Sequence, residues 1–212
     1  MPIKLLIIEE NEIKQEALKL CLSQNTGIQY DIIADVKELD AELNTDGYTH
    51  LVSQALIKNE SVLEFSHLIN LPLLIINDGD IDLGETSFSS TKSPLSYSEL
   101  FAFLVKNTPI SYSGIEEYAM GDEEFFNQLK GLIVEEFSLN FKEIPTFIEI
   151  GNLAELKSRA HQMSSKFSMI DMPLSWQLCK EIDMHILEDT EKQIENMKCL
   201  LVDIEIALLH LN

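Results

Sequence analysis

The chain has 212 residues with 15 Lys and Arg against 36 Asp and Glu, a net charge of −21. Phosphate backbones and anionic lipid surfaces would repel it, so nucleic-acid and membrane-surface binding are disfavoured. A hydrophobic share of 45% with 24% charged residues is ordinary for a globular protein, and the length suits one large or two small domains. The acid is no tail: residues 1–107 hold 7 Lys and 17 acids, residues 108–212 hold 8 basic residues and 19 acids.

The amino-terminal MPIKLLIIEENE ends a short apolar run in two carboxylates, which predicts a buried strand and not a signal peptide. The longest uncharged stretch, Phe65 to Asn77, is 13 residues, where a spanning helix needs about 20. Cys21, Cys179 and Cys199 show no CxxC spacing, so neither a disulfide framework nor a zinc site is indicated. A cytoplasmic, soluble protein is expected.

Strands are predicted at Leu5–Ile8, Tyr30–Ala34, Tyr48–Val52 and Leu73–Ile76, with a weak fifth at Thr86–Ser90. Helical spacing lies between them: Glu12–Leu22 (through Ile13, Ala17 and Leu20), Val36–Leu43, Val62–Ile69, and Ser98–Lys106 after Pro94. Apolar strands alternating with helices imply an α/β parallel sheet with right-handed crossovers. The segment Asn107-Thr-Pro-Ile-Ser-Tyr-Ser-Gly114 breaks that pattern and predicts a linker.

Beyond it only helical periods appear. Phe126, Leu129, Ile133, Phe137, Phe141, Ile144 and Ile148 mark a long helix with Pro145 near its end. Asn152 with Glu155 and Thr190 with Gln193 read as capping boxes. Leu153, Leu156, Ala160, Met163, Phe167 and Ile170 form one narrow stripe, and Ile194, Met197, Leu201, Ile204, Leu208 and Leu211 another. Pro173 opens a helix between them. Such stripes predict an antiparallel four-helix bundle.

No phosphate-binding glycine loop, HExxH or GxSxG is present. The loop Asp78-Gly-Asp-Ile-Asp82 alternates carboxylates, but Gly84 stands one place late and Ser89 sits where a bidentate Glu belongs, so a solvated loop is expected. His161 is the residue to watch. It lies ~100° off the Ala160–Met163 seam, and its helical neighbours are Ser158, Ser164, Ser165 and Ser168, with Lys157 one turn before. Small hydroxyls leave the imidazole uncovered, with no carboxylate expected to hold it in the core.

The motifs YAMGDEEFFNQLKGLIVEEF, AELKSRAHQMSSKFSMIDM and LCKEID resemble a histidine-containing phosphotransfer (HPt) domain over residues 115–211. The resemblance implies that His161 is the phosphoacceptor, surrounded by Lys157, Ser158, Ser164, Ser165, Lys166 and Ser168. Ser164 replaces the family's usual Lys, so a positive neighbour has to be Lys157 or Lys166. Over residues 3–106, KLLIIEEN, GYTHLVSQAL, LPLLIIND and TKSPLSYSELFAFL are similar to a response-regulator receiver domain. That likeness puts Glu9 and Glu10 at metal-binding positions, although acids on a solvated strand rim are also ordinary. It puts Gln54 (Ala55 if the register shifts by one) where the phosphoacceptor Asp belongs. Asn77 stands where a Thr or Ser is usual, and Ser93, beside Lys92, where a Lys is usual. The site is therefore expected to be inactive, and the short span from Asn77 to Ser93 implies a reduced fourth helix.

The expected organisation is a pseudo-receiver over 1–107 with a five-stranded, flavodoxin-like parallel sheet, a linker over 108–114, and an HPt four-helix bundle over 115–212. The resemblance implies a stoichiometric phosphorelay carrier and not an enzyme. It would exchange phosphate with receiver domains of hybrid histidine kinases or response regulators, holding no metal or cofactor itself, with Mg²⁺ on the partner receiver. The alternative is a non-catalytic scaffold or decoy that docks on a kinase or regulator.

Overall fold

The computed structural model describes residues 3–23, 27–45, 47–79, 83 and 88–211, with backbone alone at 44 and 45. It divides into two compact units, Met1–Asn107 and Thr108–Asn212.

In the first unit the apolar runs become β1 (Ile3–Ile8), β2 (Ile28–Ile33), β3 (His50–Gln54), β6 (Leu73–Ile76) and β7 (Ser89–Thr91). All neighbours pair in parallel, in the order β2-β1-β3-β6-β7. This is the doubly wound order of flavodoxin-like sheets, a receiver-like fold. A two-residue hairpin, β4 (Leu56–Ile57) with β5 (Glu60–Ser61), follows β3 and leads into a 3₁₀ helix at Val62–Leu68. Helices α1 (Glu12–Leu22), α2 (Leu39–Thr45) and α3 (Tyr97–Asn107) complete the unit. Every residue of β3 and β6 is buried, as a sheet covered on both faces requires. The fifth strand is described at Ser89–Thr91; Thr86 and Ser87 of the expected strand lie outside the described residues. So do Asp80, Ile81, Asp82 and Gly84 of the acidic loop, within the span from Asn77 to Ser93 where a reduced fourth helix was expected.

Local chemistry fixes the helix starts. The Asn11 side chain accepts from the backbone of Ile13 and Lys14 at 3.0 and 3.2 Å. Ser96 and Glu99 bond reciprocally ahead of α3, at 3.0 and 3.2 Å, a capping box missed in the sequence. One face is corrected. Ile13 and Leu20 of α1 are exposed, and Leu18 and Leu22 pack inward instead.

The second unit is helical: α4 (Ser113–Ala119), α5 (Glu123–Glu149), α6 (Leu153–Met169), α7 (Pro173–His185) and α8 (Thr190–Leu211). Helix α5 packs on α6 and α8, and α7 packs on both of those as well, closing a ring around one core. Ser113 and Gly114 belong to α4, so the expected linker ends earlier than residue 114. A Cβ at Gly114 would stand 2.7 Å from the Met169 Cα, so only glycine lets α4 approach the end of α6 this closely.

The α6 stripe packs as expected, with Leu156, Ala160, Met163, Phe167 and Ile170 buried. On α5, Phe141 is exposed and its neighbour Asn140 is buried. The α8 stripe is rotated. Met197, Ile204 and Leu211 are buried, but Ile194, Leu201 and Leu208 are only half-buried, and Gln193, Asn196, Leu200, Asp203 and Ala207 face inward. The cap of α8 is Asp189, whose carboxylate accepts from the Lys192 backbone at 3.3 Å, while the Thr190 hydroxyl donates to the Ile186 carbonyl. Asn152 caps α6 as expected, accepting from Glu155 at 3.2 Å.

Candidate functional site

Two places carry the candidate residues, one in each unit. In the first, Ile8 pairs in register with Ser53, so Glu9 and Gln54 meet across the crevice between β1 and β3. The strand order reverses there, and open α/β sheets bind ligands at such a point. Glu9 is only 1% exposed. One carboxylate oxygen accepts from Gln54 Nε2 at 2.6 Å and the other from the Asn11 backbone at 2.8 Å. Gln15 Nε2 also donates to the Glu9 carbonyl at 2.6 Å. The chain's own donors thus occupy the carboxylate.

Gln54, not Ala55, is the residue facing Glu9. Glu10 and Ser93 are exposed, and half-buried Asn77 accepts from the Gly79 backbone at 3.3 Å. Asp78, weighed in the sequence only as part of a solvated acidic loop, pairs with Lys14. Burial alone would raise the Asp78 carboxyl, but bonds from Lys14 and Ser93 outweigh it and hold the group below its ordinary range. A small pocket here is lined by Glu9, Lys14, Leu18, Gln54, Ser93 and Leu95. A carboxamide in that place has neither the charge nor the nucleophilic oxygen of a carboxylate.

In the second unit, Ala160 and Met163 turn into the core and leave the His161 side chain 70% exposed in the middle of α6. Its Nδ1 lies 2.9 Å from Oδ2 of Asp183 on α7. Lys157 Nζ stands 3.9 Å from the other Asp183 oxygen. A carboxylate only accepts hydrogen bonds, so Nδ1 carries a proton, and in the neutral ring the lone pair is the one on exposed Nε2.

The imidazole is exposed as expected and is not held in the core; the carboxylate it meets at the surface, Asp183, is a partner the sequence did not point to. The serine ring is also incomplete. Ser158, Ser165 and Ser168 are exposed, but Ser164 is 6% exposed because it follows Met163 into the core. Lys166 pairs with Glu136 at 2.9 Å, which leaves Lys157 as the cation beside the His161–Asp183 pair. A shallow groove next to His161 is lined by Tyr118, Gln162, Ser165, Trp176 and Lys180. Lys180 Nζ lies 6.0 Å from the Trp176 ring centroid.

No family model matches the chain, and no curated protein matches it. Among solved structures it is similar to a response regulator receiver domain (CheY-like) from Methylobacillus flagellatus. The identity is 18% and the TM-score 0.46, over 51% of this chain and 100% of that one. Among the described residues, no helix is long and apolar enough to cross a membrane. No group of three or more His, Cys, Asp or Glu among them is placed to hold a metal ion.

Proposed function

We propose that the chain is a phosphorelay carrier of two-component signalling. In this proposal the helical unit is an HPt domain that accepts a phosphoryl group on His161 from a receiver aspartate and passes it to another. The sheet unit is a receiver that cannot itself be phosphorylated. The observation that carries the proposal is the Asp183–His161 hydrogen bond on an exposed helix face. It fixes the tautomer in which Nε2 is the nucleophile and orients the ring.

Transfer would proceed in line. Nε2 attacks phosphorus, the N–P bond forms, the acyl P–O bond breaks, and the partner's carboxylate leaves. Nδ1 keeps its proton throughout, and Asp183 offsets the positive charge that develops on the phosphorylated ring. The incoming phosphoryl oxygens meet Lys157, while the partner receiver contributes Mg²⁺ and its own lysine. The reverse step needs nothing further from this chain, which acts as a stoichiometric carrier and not as an enzyme. Partners would be receiver domains of hybrid kinases or response regulators.

The test is transfer of labelled phosphate from a phosphorylated receiver. Label on this chain should be acid-labile and alkali-stable, as a phosphoramidate is, and absent from His161→Gln. A second reading, a scaffold or decoy that carries no phosphate, draws on the engagement of Lys166 by Glu136 and the inward turn of Ser164. Tight receiver binding with no label at any time would select it.

A further inference from the structure

We propose that Asp203 is held as an un-ionised carboxylic acid in the core of the helical unit, and that its ionisation loosens the packing of α8 on α7, the helix that carries Asp183. The side chain is fully buried, at 0% exposure, and neither oxygen completes a hydrogen bond among the described residues. Facing it from α7 is Ser175, also at 0%, whose hydroxyl has no bond of its own. An unpaired buried carboxylate is among the most costly groups a core can hold, and protonation is the usual escape. A protonated acid also gains an O–H to donate towards the Ser175 oxygen.

The neighbouring groups supply no compensating charge. Cys179 of α7 and Cys199 of α8 are the titratable groups that sense Asp203, and burial pushes both thiols up, so they stay neutral. Lys180 and Asp183 of α7 and Glu195 of α8 act on those thiols and not on Asp203. The buried residues of α5, the other helix packed on α8, are Ile133, Phe137, Asn140 and Ile144, none of them charged. Burial accordingly pushes Asp203 up to about 8, and Ser175 is the one group pulling it down.

The sign is the reverse of ordinary acid denaturation. The unfolded chain releases this proton near pH 4 and the folded chain near 8, so between them the unfolded state binds fewer protons. Stability is full below the lower value, falls as pH rises, and stops falling above the upper one. The bearing of this on His161 rests on the carrier function proposed above; the ionisation itself does not.

The experiment compares the full-length wild type with Asp203→Asn, which keeps the shape and removes the charge at every pH. Hydrogen exchange of α7 and α8 is followed by mass spectrometry from about pH 5.5 to 8.5 and corrected for intrinsic rates. The opening constant of the wild type, relative to the variant, should rise about tenfold per pH unit and level off near 8. Peptides of β1 and β3 should not distinguish the two proteins. The same pH dependence of α7 and α8 in both would overturn the proposal. If the variant fails to fold, the wild-type Asp203 carboxyl carbon decides by NMR: titration near 8 supports the proposal and titration near 4 overturns it. Neither readout uses phosphoryl transfer, so failure here leaves the carrier proposal standing, and failure of the carrier leaves this one standing.

Discussion

Each unit sets a carboxylate against a side-chain nitrogen, and the two contacts have opposite consequences. In the sheet unit, Glu9 receives the Gln54 amide at 2.6 Å in a buried crevice. The nitrogen is a donor with no lone pair to offer, and the pairing closes the site. In the helical unit, Asp183 receives His161 Nδ1 at 2.9 Å on an exposed face. The imidazole has a second nitrogen, so the same kind of bond presents a nucleophile. Which nitrogen the carboxylate meets, and whether water reaches it, separates a structural contact from a chemical one.

The comparison breaks most sharply on His161. Its replacement by Gln should remove all label transferred from a phosphorylated receiver, while Gln54→Asp in the same assay should leave His161 labelling unchanged. Next in size is Gln54→Glu, which sets a second carboxylate against buried Glu9. It should destabilise the sheet unit by about 3–5 kcal/mol in urea titration, the usual cost of an uncompensated buried charge.

The units should also answer pH in opposite directions. Burial lowers His50, 2% exposed on β3, to about 4, although backbone groups of Leu104 and Asn107 pull it upward. The unfolded imidazole titrates near 6.5, so that stabilisation is full above 6.5 and is lost as pH falls towards 4, by up to about 3 kcal/mol. Over the same interval the Asp203 contribution strengthens the helical unit. Separate unfolding transitions, recorded at about pH 5 and 7 with His50→Gln as the control, should move apart accordingly.

Asp183→Ala should slow phosphoryl transfer roughly tenfold to a hundredfold, the value of about 1.5–3 kcal/mol for a hydrogen bond to a charged group. Asp183→Asn, which can still accept from Nδ1, should lose less. An unchanged rate in the alanine variant would show the contact to be incidental. The smallest effect belongs to Gly114→Ala, where the added methyl forces α4 off the Met169 backbone. A cost of about 1–3 kcal/mol in the helical unit's unfolding transition is expected, typical of overpacking.

The sequence discloses what periodicity controls. Strands β1 and β6 are legible because sheets covered on both faces need continuous apolar runs, and the α6 stripe because Leu156, Ala160, Met163 and Phe167 recur at core spacing with only Ser164 buried beside them. Helix α1 is not, since Ile13, Ala17 and Leu20 compete with Leu18 and Leu22 for the inner face, and only tertiary packing selects the second set. Helix α8 misleads for another reason. Gln193, Asn196 and Asp203 occupy inward positions, so an apolar count assigns the seam to the wrong angle. At the candidate sites, the exposure of His161 follows from spacing alone. Its partner lies 22 residues away on another helix, and no local pattern marks Asp183 or pairs Lys166 with Glu136.

The chain's single tryptophan, Trp176, lines the groove beside His161 and is 41% exposed. Its indole is therefore a built-in optical probe of that groove. The sheet unit has no tryptophan, so emission excited at the red edge of protein absorption comes from one address. Docking of a partner over His161 would shift that emission to the blue as water leaves the ring. A titration that needs neither label nor substitution can thus locate where a receiver lands.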